Sequence, residues 1–267
     1  MRGPAWYDPQ DHTAPVIEAK AHARSKFSSG ETPVLPCRAM VFCLGKGLPV
    51  LEREFPTEML LEELPGFITH SPVLGVKGNP GICFLNGGYG SPQIACTVET
   101  LHALGVEEIF LVGLCGGFSK DCQVGDVFVP EKIWSEEGIT FHYRETGGFV
   151  ALPAHPREEW ASWLGDCGFP LRQEATVTTD GVYRQTLHKE ALWRQLGCGG
   201  VDMEASALVS VCSYYRMGCS VALLVSDRHP VEAGDAPWKW GNQQFPQLRD
   251  KFLTCCIQWA LNRESRK

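Results

Sequence analysis

Two acids stand where this chain could do chemistry. The run from Val221 to Val225 is its most apolar strand-like stretch, and Ser226-Asp227 ends it with a carboxylate followed by Arg228 and His229. An acid at the end of a buried strand serves either as an ion-paired cap or as a general acid. The second is Glu204, in Val201-Asp202-Met203-Glu204-Ala205-Ser206-Ala207-Leu208, where an apolar turn runs into a helix of small residues. Read alone, that acid complements the helix dipole. Two glycine loops accompany them. Gly87-Gly88-Tyr89-Gly90-Ser91-Pro92 has a cap and a first-turn proline for a helix whose free N–H groups suit an anion, although a tight turn explains it equally well. Gly113-Leu114-Cys115-Gly116-Gly117 lacks the spacing of a dinucleotide fingerprint and no helix pattern follows it, which argues against nicotinamide or flavin. It suits close approach of a ligand ring or sugar to the backbone.

The elements that must hold these residues alternate in type. Short β-branched runs predict strands over residues 39–44, 82–85, 108–112, 126–130, 175–179 and 220–226, and helical periodicity predicts helices over 92–104, 156–166, 186–196, 204–216 and 247–263. Alternation of this kind is the pattern of an α/β fold, a mostly parallel or mixed sheet covered on both faces, with its ligand site in the loops after the strands. Residues 1–36 are polar and proline-punctuated and read as an N-terminal arm with a short helix near 17–25. Residues 37–267 read as one domain without repeats.

Composition removes several function classes. A net charge of −7 opposes capture of nucleic acid or an anionic membrane, and no apolar run approaches the roughly 20 residues of a membrane helix. The start shows no signal-peptide pattern, so a soluble cytoplasmic protein is expected. The 12 cysteines lie within apolar segments without ligand spacing, which predicts buried thiols and no metal site.

Four segments, Gly87-Gly88-Tyr89-Gly90-Ser91, Gly113-Leu114-Cys115-Gly116-Gly117 with Val124-Gly125-Asp126, the Met203-Glu204 segment and Val225-Ser226-Asp227, stand in an order that resembles the nucleoside phosphorylase superfamily of purine nucleoside and uridine phosphorylases. Glu137-Gly138-Ile139-Thr140-Phe141-His142-Tyr143 and Thr178-Thr179-Asp180-Gly181-Val182-Tyr183 resemble its uridine-phosphorylase-like branch. The resemblance implies a central mixed sheet, partly barrel-like, flanked by helices, and a homo-oligomer, dimer or hexamer. It also implies pentosyl transfer: cleavage of the bond between ribose and a nucleobase, purine favoured, with inorganic phosphate as co-substrate and no cofactor. Met203 and Glu204 would then hold ribose, and Asp227 would protonate the base. Val177, Thr178, Thr179 and Asp180 would line the base pocket, and Gly45, Gly113, Leu114 and Arg228 the nucleophile region.

Departures from the family's pattern fall on that last region. Phosphorylases carry an arginine and a hydroxyl where this chain has Leu111 and Leu114, and a first-loop arginine where it reads Gly45-Lys46-Gly47-Leu48-Pro49. Charged hydrogen bonds of that kind contribute roughly 1.5–3 kcal/mol each. Lys46, His70, Arg228 or a neighbouring subunit's basic residue are the available substitutes. The first-loop glutamate of the hydrolytic nucleosidases is missing as well, and Arg184 and Gln185 miss the spacing that reads uracil. Phosphorolysis is the first expectation, with hydrolysis or nucleoside binding without turnover as alternatives. His142 is a further candidate for the site, and the Trp- and Pro-rich stretch 236–246 for a lid.

Overall fold

The structure, a computed structural model, describes residues 8, 10–11, 13–27, 32–67 and 70–263. In chain order these form α1 (Ala19–Ser25), β1 (Arg38–Cys43), α2 (Gly47–Glu54), β2 (Thr57–Leu61), β3 (Val73–Val76), β4 (Asn79–Asn86), α3 (Ser91–Ala103), β5 (Glu108–Gly117), β6 (Val127–Phe128), β7 (Lys132–Glu136) and α4 (Thr140–Tyr143). There follow β8 (Gly148–Ala151), α5 (Ala154–Asp166), β9 (Leu171–Arg172), β10 (Ala175–Thr179), a 3-10 turn at Val182–Arg184, α6 (Leu187–Gln195), β11 (Cys198–Asp202), α7 (Ala205–Tyr214), β12 (Gly218–Arg228), β13 (Lys239–Trp240) and α8 (Phe245–Asn262).

One mixed sheet holds all the described strands, in the order β2-β3-β4-β1-β5-β11-β10-β7-β8, with β12 on the other flank of β5. The central strands β4, β1, β5 and β12 run parallel. Alternate residues of these strands feed two cores. Val41, Leu85, Leu111 and Val221 pack beneath α3 and α7, whereas Phe42, Phe84, Phe110 and Ala222 pack beneath α2, α5 and α8. Burial on both faces explains why these strands read as nearly continuous apolar runs. The barrel-like expectation resolves into a branch, because the sheet divides at β5 and does not close.

The branch positions the site. Pairing of β1 with β5 ends at Cys43 opposite Gly113, and that edge of β5 is taken up again by β11, opposite Gly116 and Gly117. The ends of β1, β5, β11 and β12 therefore diverge around an opening, a switch point of the kind where α/β sheets bind ligands. The glycine run 113–117 proves to be the far end of β5, flanked by β12 and β11, and not a loop. The expected strand over 126–130 shrinks to two residues, and much of the expected arm lies outside the described residues. All 12 cysteines are free and most are buried. No helix among the described residues is long and apolar enough to cross a membrane.

Candidate active site

The opening is a cavity of about 640 Å³. One wall is the turn between β11 and α7. Asp202 shapes it: Oδ2 accepts the N–H groups of Glu204 (2.9 Å) and Ala205 (2.6 Å), and Oδ1 accepts the Thr178 hydroxyl (2.8 Å). Thr178 Oγ1 in turn accepts the Ser206 N–H at 2.8 Å. These bonds satisfy the donors at the start of α7 and leave Glu204 just outside the helix, with φ −130°. Glu204 Oε1 accepts the Gly90 N–H at 2.6 Å, and the Ser91 hydroxyl donates to the Met203 carbonyl at 2.9 Å, so the starts of α3 and α7 are clasped together. Gly90 has φ +87°, a conformation that favours glycine. Burial, reinforced by Asp202, pushes the Glu204 carboxyl well above the usual range against the N–H bonds from Gly90 and Met203. Burial also raises Asp202.

The opposite wall is the end of β12. A bulge between Val225 and Asp227 turns this end out of register with β5, a device that re-aims side chains. Asp227 is buried and saturated: Oδ1 accepts the Ser226 hydroxyl (2.5 Å), and Oδ2 accepts Trp238 Nε1 (2.6 Å) and faces His229 Nε2 (3.2 Å). The other ring nitrogen of His229, Nδ1, lies 2.6 Å from Oε1 of Glu190, a buried residue of α6. A Cβ on Gly116 would lie 2.3 Å from His229 Nε2, so the bare backbone of β5 is what admits the imidazole. The close approach expected at this glycine is thus made by the protein's own ring. Burial alone would raise Asp227, but the bonds from His229, Ser226 and Trp238 hold it below the usual carboxylate range. Burial alone would lower His229, yet Asp227 and Glu190 raise it to about 9.

Met203, Glu204, Asp227 and Leu114 of the expected residues meet at this cavity. The expected base-pocket residues do not. Strand β10 lies between β11 and β7, which buries Val177, Thr178 and Thr179 away from the opening, and Asp180 accepts the Gly138 N–H at 3.1 Å. The same segment reaches the cavity a few residues later, through Val182, Tyr183, Gln185 and Thr186. Gly45 and Gly113 are not among the lining residues; Gly113 is packed between Leu223 and Leu111. Arg228 turns outward, donates to the Lys120 carbonyl at 3.2 Å and lines an adjoining cavity of about 460 Å³. Lys46 sits in an exposed turn, His70 pairs with Glu63 at 2.5 Å, and His142 lies in α4, all three outside the lining. Trp238 and Trp240, from the stretch expected as a lid, stand half-exposed at the cavity.

Glu190 was not among the expected site residues, nor were the contacts that Trp238 and His229 make with Asp227. His229 had a signal, two positions from Asp227, whereas Glu190 had none, since its partner is 39 residues away. The charged residues lining the cavity are Glu190, Asp202, Glu204, Asp227 and His229, with no lysine or arginine among the described lining residues. Leu111, where the family resemblance leads one to look for an arginine, packs in the core beneath α3 and α7. No cluster of three metal-ligating side chains occurs among the described residues.

Comparison with known proteins bears on what such a cavity is for. A purine nucleoside phosphorylase DeoD-type of Exiguobacterium sp. is 26% identical over 191 residues, covering 66% of this chain and 77% of the relative. A guanosine phosphorylase of Halorubrum lacusprofundi is 27% identical over 176 residues, covering 66% and 72%. Among solved structures, the fold matches purine nucleoside phosphorylase from Toxoplasma gondii in complex with immucillin-H, with a TM-score of 0.72 at 18% identity over 94% of this chain and 98% of that one. It also matches an AMP nucleosidase from Bacteroides thetaiotaomicron, with a TM-score of 0.61 at 19% identity over 85% and 90%. Residues 51–251 match the family model described as the phosphorylase superfamily, and the chain belongs to that superfamily of nucleoside phosphorylases and nucleosidases.

Proposed function

We propose that this chain cleaves the N-glycosidic bond of an uncharged purine nucleoside, and that water is the attacking group. The observation that carries this reading is the charge of the cavity: four carboxyl side chains and one histidine, with no lysine or arginine among its described lining residues. Departure of a base builds positive charge on the sugar. Carboxyl oxygens set around that sugar stabilise this charge more in the transition state than in the ground state, which is what accelerates the step. The described lining residues also offer a phosphate dianion no ammonium or guanidinium group to bind.

Glu204 is placed for the ribose hydroxyls. Its raised affinity for a proton lets the carboxyl both donate to and accept from a hydroxyl pair, while the N–H of Gly90 orients it. Met203 supplies the apolar contact beside it, and Asp227 stands at the other wall for the base. A purine is favoured because the sequence relatives carry purine nucleoside and guanosine phosphorylase names. The transition state is oxocarbenium-like, and water captures the sugar at C1′ as the glycosidic bond breaks.

Those names also favour a second reading, phosphorolysis, in which a neighbouring copy supplies the missing cation. Release of free base from guanosine and inosine, with phosphate present and rigorously removed, separates the two. Equal rates are expected. Release that requires phosphate and yields ribose 1-phosphate overturns the choice of water, and failure to release base from any nucleoside overturns the glycosidic reading.

A further inference from the structure

Two groups at the base end have no part in the reaction described so far: the part-buried His229, whose ring nitrogens both face carboxylates, and the buried Glu190, which faces one of them. Asp227 poses the problem they solve. Three hydrogen bonds stabilise its carboxylate form, so by itself it is an acceptor with no proton to give to a leaving base. We propose that His229, clamped between Glu190 and Asp227, holds the proton that Asp227 passes to the departing base. The proposal rests on the glycosidic reading and adds to it the source of the proton.

The geometry is that of a built relay. Glu190 is brought into place by the first turn of α6, where the Thr186 hydroxyl caps the helix through the Lys189 N–H. Its Oε1 receives Nδ1–H at 2.6 Å, which fixes the ring plane and leaves Nε2–H aimed at Asp227 Oδ2, 3.2 Å away. Its second oxygen, Oε2, is buried without a hydrogen-bond partner. The imidazole of His229 is thus the group that this carboxyl bonds among the described lining residues of the cavity. Gly116 closes the clamp from β5, since any side chain there would displace the ring. The groups facing the ring are thus Asp227 from β12, Glu190 from α6 and the bare backbone of β5.

The step balances without an added reactant. The C1′–N9 bond breaks and its electron pair goes to the base. The Nε2 proton of His229 moves to Asp227, and Asp227 delivers a proton to N7 of the imidazole portion of the purine. The base leaves neutral, Asp227 ends as the carboxylate it began as, and His229 is left neutral with its Nδ1–H still on Glu190. The sugar, left as an oxocarbenium ion, captures water at C1′ and that water's surplus proton passes to solvent, which returns one to His229 after release. Both His229 and Glu190 act through Asp227, and are positioning residues in that sense.

A substrate that needs no proton tests the relay. In 7-methylguanosine the methylated base already carries the positive charge, so it departs without protonation, whereas guanosine requires it. His229→Gln should lower the kcat for guanosine by about 100-fold or more, the lower bound for loss of general acid catalysis, and change that for 7-methylguanosine by less than about 3-fold. Glu190→Gln, of equal volume, should show the same selectivity with a smaller loss, and thermal melting of both variants checks that they fold. Equal losses on both substrates, or none on guanosine, overturn the relay and leave the glycosidic reading standing. A wild-type protein that cleaves neither substrate overturns both.

Discussion

Gly116→Ala places the largest test on the smallest change. Gly116 lies in extended β5 without a left-handed φ, so the backbone accepts alanine and the effect comes from the added methyl alone. That methyl would lie 2.3 Å from His229 Nε2 and 2.8 Å from Cε1, whereas ordinary contact begins near 3.4 Å. The ring must retreat by 3.4 − 2.3 = 1.1 Å or rotate out. Either movement takes the 3.2 Å contact with Asp227 out of hydrogen-bond range and strains the 2.6 Å contact with Glu190. A charge-assisted bond contributes about 1.5–3 kcal/mol, and the buried carboxylate left behind adds to the cost. We expect a loss of about 2–4 kcal/mol in stability, or roughly 4–16 °C in melting temperature for a chain of this size. Urea denaturation measures it. In a double-mutant cycle with His229→Ala, the second change should relieve most of the cost of the first, a coupling above about 1 kcal/mol. Additive effects, or a Gly116→Ala protein within about 0.5 kcal/mol of wild type, would refute the packing argument.

Three other outcomes follow from the same geometry. His229 rises from 6.5 to about 9 on folding, so its contribution is fully present below pH 6.5 and is lost as pH climbs through 9. Each tenfold gain in proton affinity corresponds to about 1.4 kcal/mol, which caps that loss at about 3.5 kcal/mol, and urea midpoints measured across this window should lose the slope in His229→Gln. Thr178→Val keeps the side chain's volume but removes the hydroxyl between Asp202 and the Ser206 N–H; a destabilisation of about 1–3 kcal/mol with a higher KM for nucleoside is expected, and an unchanged KM would separate this network from Glu204. Trp238→Phe deletes one of the three donors to Asp227, so the Asp227 titration followed by carboxyl NMR should move upward, and no movement would mean that the indole N–H does not stabilise the carboxylate.

Much of the frame was legible in the residues because burial on two faces leaves a plain mark. Strands β1, β5 and β12 are apolar along nearly their whole length, and segments of helical period alternate with such apolar runs along the chain, so an α/β sheet with its site at the strand ends could be read directly. Edge strands such as β2 and β8 escaped, being short and only partly buried. Glu204 and Asp227 were identifiable because each stands at the end of an apolar element, where a carboxylate needs a reason. Thr178 was misplaced because strand β10 is covered on both faces, so its hydroxyl had no solvent side to mark it and turned to Asp202.

What the sequence determined by itself was therefore the order of elements and the acids at their ends, properties that depend on neighbours a few residues apart. What only the tertiary structure decided was the company those acids keep. The branch at β5 opens the cavity, and the packing of α6 brings Glu190 to His229 across 39 positions of chain. The bulge in β12 turns Asp227 toward both His229 and Trp238. Whether a carboxyl holds its proton depends on donors and charges a few ångströms away, and those distances are set only when distant segments pack together.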